Sequence, residues 1–292
     1  MSKKYLLLDS GDQEKLEAVG SFRFIRPAPL ALWPKKLPQE EWQKADAVFS
    51  RKEKSGWSFK KRLPDSWKME INQLLLKAAP TSFGHFGFFP EHFDLWEKLT
   101  PQVQSGMSIL NLFAYTGAAT LFFAKQGASL CHLDASKTSV AWARENAILN
   151  NLEKAPIRWI VDDVFKFLKR EVKRGVLYDG ILLDPPSFGR GSKLEVFKIE
   201  KAIGPLLTLL EQLLSPQARF LAFSCHTPGF TPSLLKNLLT PLVKKRGGRI
   251  SAGELTVNSQ DSWNLPAGVY AIWETNPSEK STSEKPTSEK TC

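Results

Sequence analysis

Between Ser105 and Glu274, short apolar runs alternate with longer stretches of helical character, and few folds accept that pattern. SILNLF leads into a helix over Ala118–Lys125, ASLCHLD into Ser136–Asn150, and PIRWIV into Val164–Lys173. YDGILLD then precedes a helix around Val196–Leu214, and ARFLAFSC one around Thr231–Lys245. Near-continuous apolar strands separated by helices predict a mostly parallel sheet, because crossover helices shield both of its faces from water. The last two runs, RISAGELTV and GVYAIWE, have no helix between them and predict a closing antiparallel hairpin, for seven strands in all. The fold class is therefore α/β.

The flanks differ in kind. Residues 1–80 are irregular and punctuated by Pro27, Pro29, Pro34, Pro38, Pro64 and Pro80, with short runs such as YLLL and FRFI. That predicts a small β or mixed N-terminal module. Residues 81–275 hold the α/β domain. Residues 276–292 repeat SEK three times without one large apolar side chain. Such a tail cannot bury enough surface to offset its ordering entropy, and disorder is expected.

The formal net charge of +10 favours a polyanionic partner. Arg51 to Arg62 gathers six basic residues against one acid, with Trp57 and Phe59 inside the run. Basic groups neutralise phosphates and rings stack on unpaired bases, so this run is a candidate RNA contact. A solvated loop with its rings tucked into the core is the other reading. A second cluster, Lys244, Lys245, Arg246 and Arg249, reads equally as a helix end. No apolar run approaches the ~18–20 residues of a membrane span, and no membrane partner is expected. Cys131, Cys225 and Cys292 lie too far apart for a disulfide framework or a cysteine zinc site, which points to the reducing cytoplasm. His85 and His92 stand alone and there is no HExxH, so no metal is expected.

Chemistry concentrates at the strand ends. The first strand runs into Asn111-Leu-Phe-Ala-Tyr-Thr-Gly117-Ala-Ala-Thr120, a turn whose small residues let a ligand approach a helix N-terminus. It lacks GxGxxG, which disfavours a dinucleotide pyrophosphate and with it an oxidoreductase. Asp134 ends the second strand, where a carboxylate can accept both ribose hydroxyls of a nucleoside. Asp162-Asp163-Val164-Phe165 follows the third; an acid there can accept from an adenine amino group while an apolar neighbour sandwiches the ring. Any one of these acids could be a helix cap. Their order at successive strand ends argues for a nucleoside site. After the fourth strand, Asp184-Pro185-Pro186-Ser187-Phe188 offers a carboxylate, carbonyls freed by two prolines that lack N–H groups, and a ring that can stack.

These blocks resemble class I S-adenosylmethionine-dependent methyltransferases that modify bases of large-subunit ribosomal RNA, above all the cytosine-C5 group and its relatives. The resemblance runs from about Phe83 to Trp273 and is most specific at Asp184–Phe188. It implies a Rossmann-like methyltransferase fold, a sheet closed by an antiparallel hairpin, S-adenosyl-L-methionine as cofactor and ribosomal RNA as partner. The segment Gly84–His92 resembles the loop placed over the methionine part of the cofactor, with Phe89 in it. The resemblance further implies that Asn111, Phe113, Thr116 and Gly117 line the cofactor site, joined by Asp134, Asp163 and Val164. Asp184 and the substrate-binding residues Pro185, Pro186, Ser187 and Phe188 would face the target base.

Cys225 closes the fifth strand, where members that methylate cytosine C5 carry a nucleophile. A thiolate there adds to C6 and makes C5 reactive. Buried cysteine is also a common core residue, and His226-Thr227-Pro228-Gly229 departs from the family pattern. His226 could lower the thiol pKa or face solvent. Methylation of a base amino group, held by Asp184-Pro185-Pro186, needs no cysteine and is the alternative chemistry. A non-catalytic RNA-binding protein is the alternative class.

Overall fold

The computed structural model describes residues 4–51, 56–190, 196–260 and 263–275. The tail expected to be disordered lies outside these residues, as does the stretch 52–55 of the basic run. The chain opens with β1 (Tyr5–Gly11), β2 (Glu14–Val19), β3 (Phe22–Pro27), a short α1 (Gln39–Trp42), β4 (Ala47–Phe49) and β5 (Trp57–Phe59). These five strands form one sheet in that order, antiparallel except between β3 and β4. The expected N-terminal β module is present.

A hairpin follows, β6 (Trp67–Ile71) and β7 (Leu74–Ala78), then α2 (Phe93–Leu99). The α/β unit contains β8 (Ser108–Leu112), α3 (Ala118–Ala124), β9 (Ser129–Asp134), α4 (Lys137–Leu149), β10 (Ile157–Val161), α5 (Val164–Arg174) and β11 (Gly180–Leu183). It continues through β12 (Phe188–Arg190), β13 (Val196–Lys198), α6 (Ile199–Leu213), β14 (Phe220–Cys225), α7 (Pro232–Val243), β15 (Arg249–Val257) and β16 (Leu265–Glu274). The seven-stranded sheet has the order β10-β9-β8-β11-β14-β16-β15. β16 runs antiparallel between β14 and β15, as the missing last helix predicted. β8 pairs with both β9 and β11, so the chain winds outward in two directions. A crevice opens where that happens, at the carboxyl ends of the strands.

Helix termini fall where capping chemistry puts them. Ser136, Asp163 and Thr231 each accept a main-chain N–H of the first turn of α4, α5 and α7. One boundary differs from expectation. Residues 196–198, read as the start of a helix, instead pair antiparallel with 188–190, and Phe197 packs on Phe113 at 5.4 Å between ring centroids.

The sheet divides two apolar cores. Leu110, Leu112, Ile181, Leu183, Leu221, Phe223 and Cys225 face one, beneath α5, α6 and α7. Ile109, Leu182, Phe220 and Ala222 face the other, which continues without a break into Phe24, Phe49 and Trp57 of the N-terminal sheet. The hairpin joins the same side: Asn146 of α4 accepts the Lys77 N–H at 2.8 Å, and Asn150 bonds both main-chain groups of Leu75. Glu17 is fully buried at the heart of the N-terminal sheet, paired with Arg26 and Lys15 and accepting the Tyr5 hydroxyl at 3.0 Å. Burial pushes its carboxyl up, but the two cations outweigh burial and hold it at about 2.

Candidate active site

The carboxyl ends of β8 and β11 border a solvent-open cavity of about 570 Å3. Phe88 and Phe89 form one wall with His92, Leu95 and Trp96; Asn111 and the turn 113–119 form the other; Leu182, Leu183, Asp184, Ala222 and Ser224 complete the lining. The turn after β8 is held in left-handed backbone: φ is 56° at Phe113, 49° at Tyr115 and 85° at Gly117. For non-glycine residues this costs on the order of 1 kcal/mol each, and it persists only where neighbours enforce it. Here the Tyr115 N–H donates to the Asp134 carboxylate at 2.8 Å, and Asn146 donates to the Thr116 carbonyl at 2.9 Å. The Thr116 hydroxyl donates to the Gly87 carbonyl, which ties the turn to the opposite wall. At Gly117 a side chain would meet the Cβ of Ala143 at 2.8 Å, so only glycine fits.

That opposite wall is carried by the N-terminal sheet. Arg26 donates to the Gly84 carbonyl at 2.5 Å and lies over the Phe86 ring at 4.8 Å. Trp57 donates its indole N–H to the Thr81 carbonyl at 2.7 Å, and Phe24 packs on Phe86 at 4.5 Å. Trp57 therefore belongs to the core, whereas Phe59, stacked beside it, is 47% exposed.

Where Asp184 borders the cavity, three side chains from distant parts of the chain converge. Nε2 of His92 and Nε2 of His226 are 3.1 Å apart, and the Asp184 carboxylate presents one oxygen to each, at 3.4 and 3.6 Å. Ser224 donates its hydroxyl to Asp184 at 2.7 Å. Burial would raise the Asp184 carboxyl, but the two imidazoles and Ser224 hold it at about 2. Burial works to lower His92 and is outweighed by Asp184, so its imidazole titrates above the ordinary range. His226 Nδ1 lies 2.6 Å from the Ala267 carbonyl, an acceptor only, so that nitrogen carries a proton. Its other nitrogen, Nε2, faces His92 and Asp184. Sequence reasoning missed the roles of His92 and Ser224; the first has no spacing signal, while strand periodicity places Ser224 beside Ala222 on the cavity face.

A model of the S-adenosylmethionine-dependent methyltransferase family matches residues 65–240. The chain belongs to that family. The methyltransferase is 37% identical to a SAM-dependent methyltransferase structure from Agrobacterium tumefaciens, with a TM-score of 0.89 over 94% of this chain and 91% of that one. Among curated relatives, it is 36% identical over 150 residues, 51% of its length, to ribosomal RNA large subunit methyltransferase K/L of Shewanella oneidensis. It is 32% identical over 176 residues, 60% of its length, to the protein of that name from Syntrophotalea carbinolica. It spans only about a fifth of those relatives, 20% and 23% respectively.

The residues present fit the family's cofactor, S-adenosylmethionine. The cavity is apolar and aromatic on one side, and lined by small residues at Gly117, Ala118 and Ala119 where a ligand must come close to backbone. Phe89, Asn111, Phe113, Thr116 and Gly117 line it. Asp134 stands behind Tyr115, its two oxygens taken by the N–H groups of Tyr115 and Ser136, each with a further lone pair to offer. Burial raises its carboxyl, against those two N–H groups. Asp163 and Val164 lie at the next strand end and do not line the cavity; Asp163 accepts the Lys166 N–H as the α5 cap, and Val164 enters the far core. Pro185 is buried, Ser187 shares a hydrogen bond with Thr227 at 2.8 Å, and Phe188 is half exposed. Cys225 is 1% exposed and points to the core beneath α6 and α7, on the opposite face from Ser224. Burial pushes its thiol up. Two of the four residues of the second basic cluster are structural: Arg246 donates to the Leu214 and Ser215 carbonyls, and Arg249 pairs with Glu274. Among the described residues no helix is long and apolar enough to cross a membrane.

Proposed function

We propose that this methyltransferase modifies RNA, ribosomal RNA foremost, at an exocyclic amino group of a base, in the cytoplasm. The observation that carries the reading is Asp184: an ionised carboxylate on the cavity rim, between two imidazoles, preceding a buried proline. S-adenosylmethionine supplies the electrophilic methyl group. Phe89, Asn111, Phe113, Thr116 and Gly117 would hold it, with Asp134 receiving the ribose hydroxyls and Asp163, at the next strand end outside the open cavity, the adenine amino group. Asp184 and the Pro185 carbonyl would accept the two amino hydrogens of the target base and turn its nitrogen lone pair toward the methyl group, with Phe188 stacking on the ring. The nitrogen sheds a proton as it gains the methyl group, and water at the solvent-open side of the cavity can take it.

RNA as substrate is supported by the names of the curated relatives, by the net charge of +10 and by the exposed Phe59 beside Lys60 and Lys61. The cytosine-C5 alternative requires the Cys225 thiol to leave its apolar core and lose a proton there, whereas the amino-group reading asks for no rearrangement. Total RNA from a deletion strain, incubated with labelled cofactor, separates the two. Asp184→Asn should lose roughly 100-fold in rate while still binding S-adenosylhomocysteine, and Cys225→Ala should keep most activity. Abolished transfer in Cys225→Ala, with a covalent complex trapped on 5-fluorocytosine RNA, would overturn the amino-group reading in favour of C5.

A further inference from the structure

Three side chains of metal-ligating type converge beside the cavity. We propose that His92, His226 and Asp184 bind a single divalent transition-metal ion of the Zn2+ class. The three side chains are the one cluster of histidine and carboxylate ligands that the described residues bring together for such an ion. A tetrahedral ion with ligand bonds of about 2.0–2.2 Å holds its donor atoms about 3.3–3.6 Å apart. The two imidazole nitrogens are 3.1 Å apart, Asp184 Oδ2 is 3.4 Å from that of His92 and Asp184 Oδ1 is 3.6 Å from that of His226, and with one ligand atom from each residue the three lie within 4.8 Å of one another, close enough for small side-chain shifts to close them on an ion. Both imidazoles present the same nitrogen, Nε2, to the common point.

The surroundings are those of a supported site. The Ala267 carbonyl fixes the tautomer and orientation of His226, the outer-shell arrangement that metal-binding histidines require. His92 is buried and stacked on Trp96 at 5.9 Å with ring planes 16° apart. The Ser224 hydroxyl anchors Asp184. His226 and Asp184 are each about one-third exposed, which leaves an entry path from solvent. Two histidines and one carboxylate supply three ligands and leave a position open for water or a lone pair of bound substrate. His92 and Asp184 line the cavity, so the ion would border it.

The test uses the full-length protein carrying Cys292→Ser, stripped with a chelator and dialysed. Zn2+ is titrated by calorimetry and Co2+ by visible absorption. One equivalent of each should bind, and the cobalt spectrum should be four- or five-coordinate without thiolate charge-transfer bands. His226→Ala, at the open rim, should weaken Zn2+ by on the order of 100-fold or more. His92→Gln, at the buried position, should do the same, and circular dichroism checks that it folds. Failure of the wild type to bind Zn2+ stoichiometrically would overturn the assignment, as would wild-type affinity in His226→Ala. Thiolate bands dominating the cobalt spectrum would also overturn it, by moving the ion to Cys131 or Cys225.

Discussion

Replacing Gly117 by alanine tests whether the turn after β8 is as tightly determined as it looks. Two costs arise. Alanine at φ 85° enters the left-handed region, which costs roughly 1–2 kcal/mol. Its Cβ also lands 2.8 Å from the Ala143 Cβ on α4, a contact that only a backbone shift relieves, for roughly 1–3 kcal/mol. Together the expected loss is about 3 kcal/mol. Gly175, the αL cap of α5 at φ 67°, has open space within 4 Å of where a Cβ would stand, so Gly175→Ala incurs only the first cost, about 1 kcal/mol. The two variants differ functionally as well. Displacing α4 from α3 moves Asn146, and with it the Thr116 carbonyl that shapes the cavity, so S-adenosylhomocysteine should bind Gly117→Ala about 10-fold more weakly, or about 1.4 kcal/mol. Gly175→Ala should bind it normally. Urea unfolding gives the first quantity and calorimetry the second. If Gly117→Ala unfolds no earlier than Gly175→Ala and binds the ligand as the wild type does, the turn is not close-packed and the reasoning is refuted.

Two further outcomes are expected. Because the Glu17 carboxyl is held at about 2 in the folded chain against 4.5 ordinarily, the native state binds fewer protons, and the group's contribution is present above about pH 4.5 and lost as pH falls toward 2. Between about pH 6 and pH 3 the wild type should lose about 2 kcal/mol through Glu17 that Glu17→Gln does not lose; parallel urea midpoints for the two across that range would refute this. Asn146→Ala strands the half-buried Lys77 N–H and the buried Thr116 carbonyl and should cost about 2 kcal/mol, with weaker S-adenosylhomocysteine binding; a loss below about 1 kcal/mol would mean that water replaces both bonds.

The strands of the α/β unit were readable because a parallel sheet buried on both faces leaves runs such as GILL and FLAFSC with little polar content. The turn at Gly117 and the acids at strand ends followed from that frame. What escaped was anything that depends on side-chain direction. In β14 the side chains alternate, so Ser224 meets Asp184 while Cys225 turns into the far core; the alternation Leu221, Phe223, Cys225 was visible but carries no sign of which face holds the ligand. His92, Asp184 and His226 share no spacing, and only the fold brings them within 3.6 Å. Trp57 sits among charges yet is buried, because Gly56 and the neighbouring β4 turn its ring onto Phe24 and Phe49. The N-terminal strands β4 and β5 are three residues each, too short to register a period.

The shared core between the N-terminal sheet and the α/β unit has a thermodynamic corollary. The loop that walls the cavity hangs on Arg26, Phe24 and Trp57, so the order of that sheet and occupancy of the cavity draw on the same contacts. Coupling of this kind is reciprocal. Whatever ordering the sheet lends to the cavity, a ligand in the cavity returns in equal measure, and amide hydrogens of β3 and β5 should exchange more slowly when the distant site is filled. The small N-terminal module then acts as one arm of a balance with the catalytic crevice as the other, and a partner that grips its outer face would set the cofactor's affinity without touching the cofactor.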